Sequence, residues 1–105
     1  MNQLFSYQDY QQTIGCGVTL VDFSTQWCAP CKSQEPILEK LMHYYKGKAI
    51  IASMNIDKNT KTAEKLGIKS IPTLIIYKNG KEIQRFIGLQ SDEMLMNAMD
   101  KIINP

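Results

Sequence analysis

No apolar stretch in this chain approaches the roughly 20 residues of a membrane-spanning helix, so no membrane association is expected. The amino terminus, Met1-Asn2-Gln3-Leu4-Phe5-Ser6-Tyr7, has neither a basic start nor an apolar stretch and does not read as a secretory signal. An excess of one charge is also missing. The 12 Lys and Arg barely outnumber the 10 Asp and Glu, and the lysines are scattered, so nucleic acid is not an expected partner. Linkers, repeats and low-complexity segments are absent. At 105 residues the chain can build one core but not two, and residues 1–105 read as a single domain. With 44% hydrophobic and 21% charged residues it belongs among folded rather than disordered chains. The default setting is an intracellular, reducing compartment, the cytoplasm, where disulfides are rare and mostly transient and catalytic.

What is present is concentrated in Trp27-Cys28-Ala29-Pro30-Cys31-Lys32. Two thiols two residues apart can close a small disulfide ring and reopen it, moving two electrons. Upstream, Val18-Thr19-Leu20-Val21-Asp22-Phe23 has the apolar, β-branched composition of a buried strand. Downstream, Ile37, Leu38, Leu41 and Met42 recur at helical spacing. A Cys-x-x-Cys pair where a strand hands over to a helix reads as a redox site. The competing reading is half of a zinc site, which only Cys16 and His43 could complete, without zinc-like spacing.

The remaining pattern predicts helix, strand, helix, strand, helix, hairpin and final helix. Ser6-Tyr7-Gln8-Asp9 has the cap and first-turn acid of a helix start, and Gly15-Cys16-Gly17 ends that helix. Strands are predicted at Val18 to Ser24, Ala49 to Ile56 and Thr73 to Tyr77, with a long helix from Cys28 or Cys31 to about Lys46. A short helix over Thr60 to Leu66 closes at Gly67. Asn79-Gly80 signals a hairpin turn, and Lys81 to Ile87 returns as a strand alternating Ile83, Arg85, Ile87 with Glu82, Gln84, Phe86. Ser91 caps a last helix with Leu95, Ala98, Met99 and Ile102 on one face. Crossover helices make the first strands parallel and the hairpin adds an antiparallel edge. The expected fold class is α/β, a central mixed sheet with helices on both faces.

With motif and element order together, the chain resembles the thioredoxin family over essentially its whole length. The matching residues are Val21-Asp22-Phe23, Trp27-Cys28-x-Pro30-Cys31-Lys32, Pro36, Asn55-Ile56-Asp57, Gly67-Ile68, Ile71-Pro72-Thr73-Leu74, Lys78-Asn79-Gly80 and Gly88. Cys-x-x-Cys alone is a weak signal. Followed about forty residues later by Ile71-Pro72-Thr73, it is a specific one. Three departures stand out: Ala29 where most members have Gly, Ser24 where a second Trp is common, and Ser53 where many carry a Lys beside the buried acid.

The resemblance implies a thioredoxin fold and a thiol–disulfide oxidoreductase that carries electrons to protein disulfides. It implies a redox-active disulfide Cys28-Cys31 with no bound cofactor or metal. Recharging would come from a thioredoxin reductase that uses NADPH, with disulfide-containing client proteins as the other partners and a monomer as the working form. Cys28, first at a helix amino terminus, is the expected nucleophile, because unpaired N–H groups and the helix dipole favour negative sulfur there. Cys31, one turn deeper, is the expected resolving thiol.

Pro72 is implied to be a cis proline facing the cysteines; from composition alone it reads as a trans proline starting an edge strand. Lacking an N–H, it leaves the Ile71 backbone free to pair with an extended client. Asp22, from its residue type, reads as an edge acid reaching water. The resemblance instead buries it beneath Cys31, as proton acceptor when Cys31 attacks. Ser53 brings no positive charge to help it ionise. Trp27, Pro30, Ile71, Pro72 and Gly88 form the implied client surface, with a plain core Trp as the alternative for Trp27.

Pro36 reads as a helix bend without chemistry. Cys16 reads as an inert small residue, His43 as a surface or satisfied histidine, and the methionines as core filler and helix surface. Lys58, Lys61, Lys65 and Lys69 form a solvated face. Two other functions compete: an oxidant or isomerase of exported proteins, and a binding subunit whose cysteines are incidental. The missing signal, Ala29-Pro30 and Ile71 weigh against the first, and nothing identifies a partner for the second.

Overall fold

In the computed structural model, which describes residues 1–105, the β-branched runs become the middle of one five-stranded sheet. The elements are β1 (Asn2–Leu4), α1 (Tyr7–Ile14), β2 (Val18–Ser24), α2 (Ala29–Tyr44), β3 (Ala49–Asn55), α3 (Thr60–Leu66), β4 (Thr73–Lys78), β5 (Lys81–Ile87) and α4 (Asp92–Ile103). Strand order is β1-β3-β2-β4-β5. β1, β3 and β2 run parallel, as helical crossovers require, and β4 and β5 are antiparallel to their neighbours. Asn79 and Gly80 both adopt positive φ, 51° and 86°, so the hairpin turn forms as its residues predict.

The period-two alternation of each strand sorts the core into two halves. Val21 and Phe23 face α1 and α3, packing with Tyr10, Ile14, Ala52, Met54, Ala63 and Ile75. Val18 and Leu20 face α2 and α4, packing with Leu38, Leu41, Ile51, Leu74, Ile76, Leu95 and Met99. Both faces of the central strands are thus covered, which is why β2 reads as a continuous apolar run rather than an alternating one.

Two features depart from the sequence reading, and a third settles what it left open. β1 was not anticipated: it has three residues and only Leu4 is buried, so its strand character comes from pairing with β3. α2 ends at Tyr44, two residues early, because Tyr45 turns inward and its hydroxyl donates to the Asp100 carboxylate of α4 at 2.6 Å. On edge strand β5 the isoleucines face solvent, and it is Phe86 that packs on the core. No helix is long and apolar enough to cross a membrane.

Candidate functional site

The carboxyl-terminal ends of β1, β2 and β3 and the amino-terminal end of β4 meet at one edge of the sheet, since Phe23 lies level with both Met54 and Thr73. Ligands of open α/β sheets bind beyond such an edge. Here the chain leaves β2, passes Trp27 and enters α2 with Cys28 as N-cap residue. The Cys31 N–H, one of the orphan donors of the first helical turn, points at the Cys28 sulfur at 3.2 Å. Pro30 falls in that first turn, where a missing N–H costs no hydrogen bond. Cys28 and Cys31 are joined as a disulfide, with Cα atoms 5.2 Å apart. The two sulfurs are not equivalent, because Cys28 is half-buried whereas Cys31 is 2% exposed.

Around the pair, Trp27 is 80% exposed, which removes the reading of it as a core residue. Ala29 and Pro30 are exposed beside it. The Ile71-Pro72 peptide bond is cis, as the resemblance implied and composition alone did not. The N–H and C=O of Ile71 have no partner within the chain. The Gly88 N–H donates to the Pro72 carbonyl at 2.8 Å, holding the start of β4 to the end of β5. Gly88 sits at φ 92°, a conformation that L side chains rarely adopt.

Asp22 is two residues beyond Leu20 and shares its face, so it points toward α2, the helix that carries Cys31. It is 2% exposed, which overturns the reading of it as an edge acid. Its Oδ1 is buried with no hydrogen-bond partner. Burial first, and the Glu35 charge second, push its carboxyl from the ordinary 3.8 up to about 7. Ser53 is level with it on β3 and Gln3 is level with Ser53 on β1. Across this face a polar row, Gln3-Ser53-Asp22, gives way to Leu74 on β4. Over the polar part lies a cleft of about 550 Å³ that Asp22, Ser24, Ser53 and Asn55 help to line.

One residue of this region was missed in the sequence. Gln34, on α2 one turn beyond Cys31, is fully buried and holds Gln90 twice. It ties the loop that carries Gly88 to the helix that carries the cysteines. A glutamine at a buried helix position gives no sequence signal, because its partner is backbone 56 residues away.

Cys16 is free and exposed, and lies in the loop pinned by Asn79. Lys65, of the lysine-rich helix, lies 4.4 Å from the centre of the Tyr7 ring. No group of three or more His, Cys, Asp or Glu side chains is gathered so as to hold a metal ion.

The comparisons with known proteins agree with this geometry. The thioredoxin family model matches residues 3–101. The thioredoxin of Staphylococcus aureus (strain Mu50 / ATCC 700699) is 43% identical over 93 residues, 89% of each chain. The solved thioredoxin of Fasciola hepatica superposes with a TM-score of 0.88 at 28% identity, covering 97% of this chain and 99% of that one. A mutant thioredoxin from Halobacterium salinarum NRC-1 gives a TM-score of 0.92 at 25% identity, covering 99% and 91%. The fold, the strand-to-helix position of the cysteine pair and these relatives converge: the chain belongs to the thioredoxin family and is a thiol–disulfide oxidoreductase whose redox-active group is the Cys28-Cys31 disulfide.

Proposed function

We propose that the chain works as a protein-disulfide reductase in which the two cysteines have fixed and different jobs. The observation that carries this reading is their unequal access: Cys28 reaches the surface at a helix N-terminus and Cys31 does not. In the reduced protein the Cys28 thiolate, stabilised by the Cys31 N–H and the helix dipole, attacks one sulfur of a client disulfide. A mixed disulfide forms and the first client thiol leaves. Cys31 then loses its proton and attacks the Cys28 sulfur, which releases the second client thiol and closes the Cys28-Cys31 ring. The client gains two electrons and this chain loses two.

Asp22 is the proton acceptor for Cys31, through water, since its raised proton affinity lies close to neutral pH. Trp27 and Pro30 offer apolar contact. The unpaired Ile71 backbone, next to Pro72 and Gly88, pairs with an extended client segment. Recharging falls to a thioredoxin reductase that draws on NADPH. The working form is a monomer consisting of a single domain, 1–105, acting in the cytoplasm.

The test is turnover of a protein disulfide by the purified chain with a thioredoxin reductase and NADPH. Turnover should be lost in both Cys28→Ser and Cys31→Ser, and only Cys31→Ser should accumulate a mixed disulfide with the client. Trapping by Cys28→Ser instead would reverse the two assignments, and failure with every reductase despite an intact fold would sink the carrier reading.

A further inference from the structure

Asp22 has two possible ways to exchange its proton with solvent, and they lie on opposite sides of β2. On one side are Ile71, Pro72 and Gly88, at the ends of β4 and β5, where a docked client excludes water. On the other side, beyond Ser53 of β3, is the polar cleft. Because β2 lies between β3 and β4 in the sheet, a client can cover the first side and leave the second open.

The cleft is built to hold water rather than an apolar group. Its volume of about 550 Å³ is many times the roughly 30 Å³ that one water occupies. A buried carboxylate oxygen without a protein partner needs such a water, since leaving it bare is costly. Ser53 and Ser24 supply hydroxyls that both donate and accept. At its rim, on the turn of α2 that follows Cys31, stands Glu35, which is exposed to solvent and near enough for Asp22 to feel its charge.

The other charged groups bordering the cleft are Glu39, one turn further along α2, and Lys58, after β3, with Met1 at the approach to β1. From β4 the neighbour of Asp22 is the apolar Leu74.

We propose that this cleft is the proton port of the reaction: while a client covers the cysteines, the proton that Asp22 takes from Cys31 leaves through cleft water to the Glu35 carboxylate and then to solvent. The inference rests on the reading of Asp22 as proton acceptor. The proton balance is simple. Cys31 S–H loses a proton as its sulfur bonds to Cys28, Asp22 holds it, and Glu35 passes it on, with no change in oxidation state at either acid. Glu35 acts through Asp22, so it is a positioning residue and not a catalytic one.

Single-turnover reduction of a protein disulfide by the reduced chain tests this, followed from pH 5 to 9 in dilute and concentrated imidazole, a small base that can stand in for Glu35. The proteins are the parent, Glu35→Gln, Asp22→Asn and the double variant. Glu35 is exposed, so its replacement should leave the fold intact. A relay group carries part of what a general base contributes, so Glu35→Gln should slow release of the second client thiol about threefold or more in dilute imidazole. Concentrated imidazole should restore the rate, and the midpoint of the pH profile should fall, because a like charge has been removed from beside Asp22. In the Asp22→Asn background neither Glu35→Gln nor imidazole should matter. A slow Asp22→Asn beside an unaffected Glu35→Gln would overturn the port and leave the proton acceptor standing. A midpoint that moves without any imidazole dependence would overturn it too, since Glu35 would then act by charge alone. An unchanged rate in Asp22→Asn would remove the proton acceptor, and the port with it. Equal slowing by Glu35→Gln in both backgrounds would mark a structural effect and overturn the inference.

Discussion

The Gln34 side chain grips the Gln90 backbone at both ends: its Nε2 donates to the Gln90 carbonyl at 2.9 Å and its Oε1 accepts the Gln90 N–H at 2.8 Å. One buried carboxamide thereby joins the helix of the cysteines to the loop of Gly88. Replacing it with leucine fills similar volume but leaves two backbone groups without partners. The expected cost of Gln34→Leu is about 2–4 kcal/mol, measured by urea unfolding. The loosened Gly88 loop should also raise KM for a protein client more than it lowers kcat. A variant as stable as the parent would show that water replaces the clamp at no cost.

Asp22 makes stability depend on pH in an unusual direction for a carboxyl. Its ordinary value is 3.8 and its value in the folded, oxidised protein is about 7, so the folded state holds the proton more tightly than the unfolded chain. The full contribution is present below about pH 4. It is lost as pH rises through about 7, where the buried group must ionise. Asp22→Asn carries no such term, so its advantage over the parent should grow from pH 4 to pH 8, to about 4 kcal/mol at most. Parallel unfolding curves for the two proteins across that range would mean that Asp22 does not titrate there.

In the other half of the core, the Tyr10 and Tyr77 hydroxyls meet at 2.8 Å and both rings are buried. Tyr77→Phe strands the Tyr10 hydroxyl, and a cost of about 1–3 kcal/mol is expected. Tyr10→Phe does the converse. The double variant leaves no orphan, so its loss should be smaller than the two single losses added together. Strict additivity in a double-mutant cycle would show that the two hydroxyls do not depend on each other.

Trp27 offers a contrast. At 80% exposure it contributes little packing, so Trp27→Ala should change stability by no more than about 0.5 kcal/mol. Reduction of a protein client should weaken several-fold through KM, while a small-molecule disulfide should be reduced as before. A large fall in the unfolding midpoint would assign the ring to the fold instead.

Much of this was legible from neighbouring residues. β2, α3 and β5 begin and end where their patterns predict, and the Ser6 and Ser91 caps each accept the N–H three residues on. Caps, turns and amphipathic faces are short-range matters, decided by the preferences of a few consecutive residues. β1 was not legible, because three residues with one buried side chain carry no period and depend on β3 for their hydrogen bonds. The two faces of β5 were legible but not which of them is covered: alternation separates Ile83 and Ile87 from Phe86, and only packing shows that Phe86 meets the core.

The order of residues was enough to place Cys28 at the start of a helix and Cys31 one turn behind it, because a strand, a break and an early proline leave few other arrangements. It was not enough to say what surrounds them. The resemblance alone implied a buried Asp22 with Ser53 beside it; that the burial holds, that a polar cleft of about 550 Å³ reaches Glu35 and that Gln34 holds the Gly88 loop all depend on register across the sheet. Register is settled when both apolar faces of β2 are buried together, and a slip of one residue would turn Asp22 onto the opposite face. Local chemistry made the redox pair. The packing of distant strands decided what lies beneath it: a buried acid, a serine level with that acid and a polar cleft beside both.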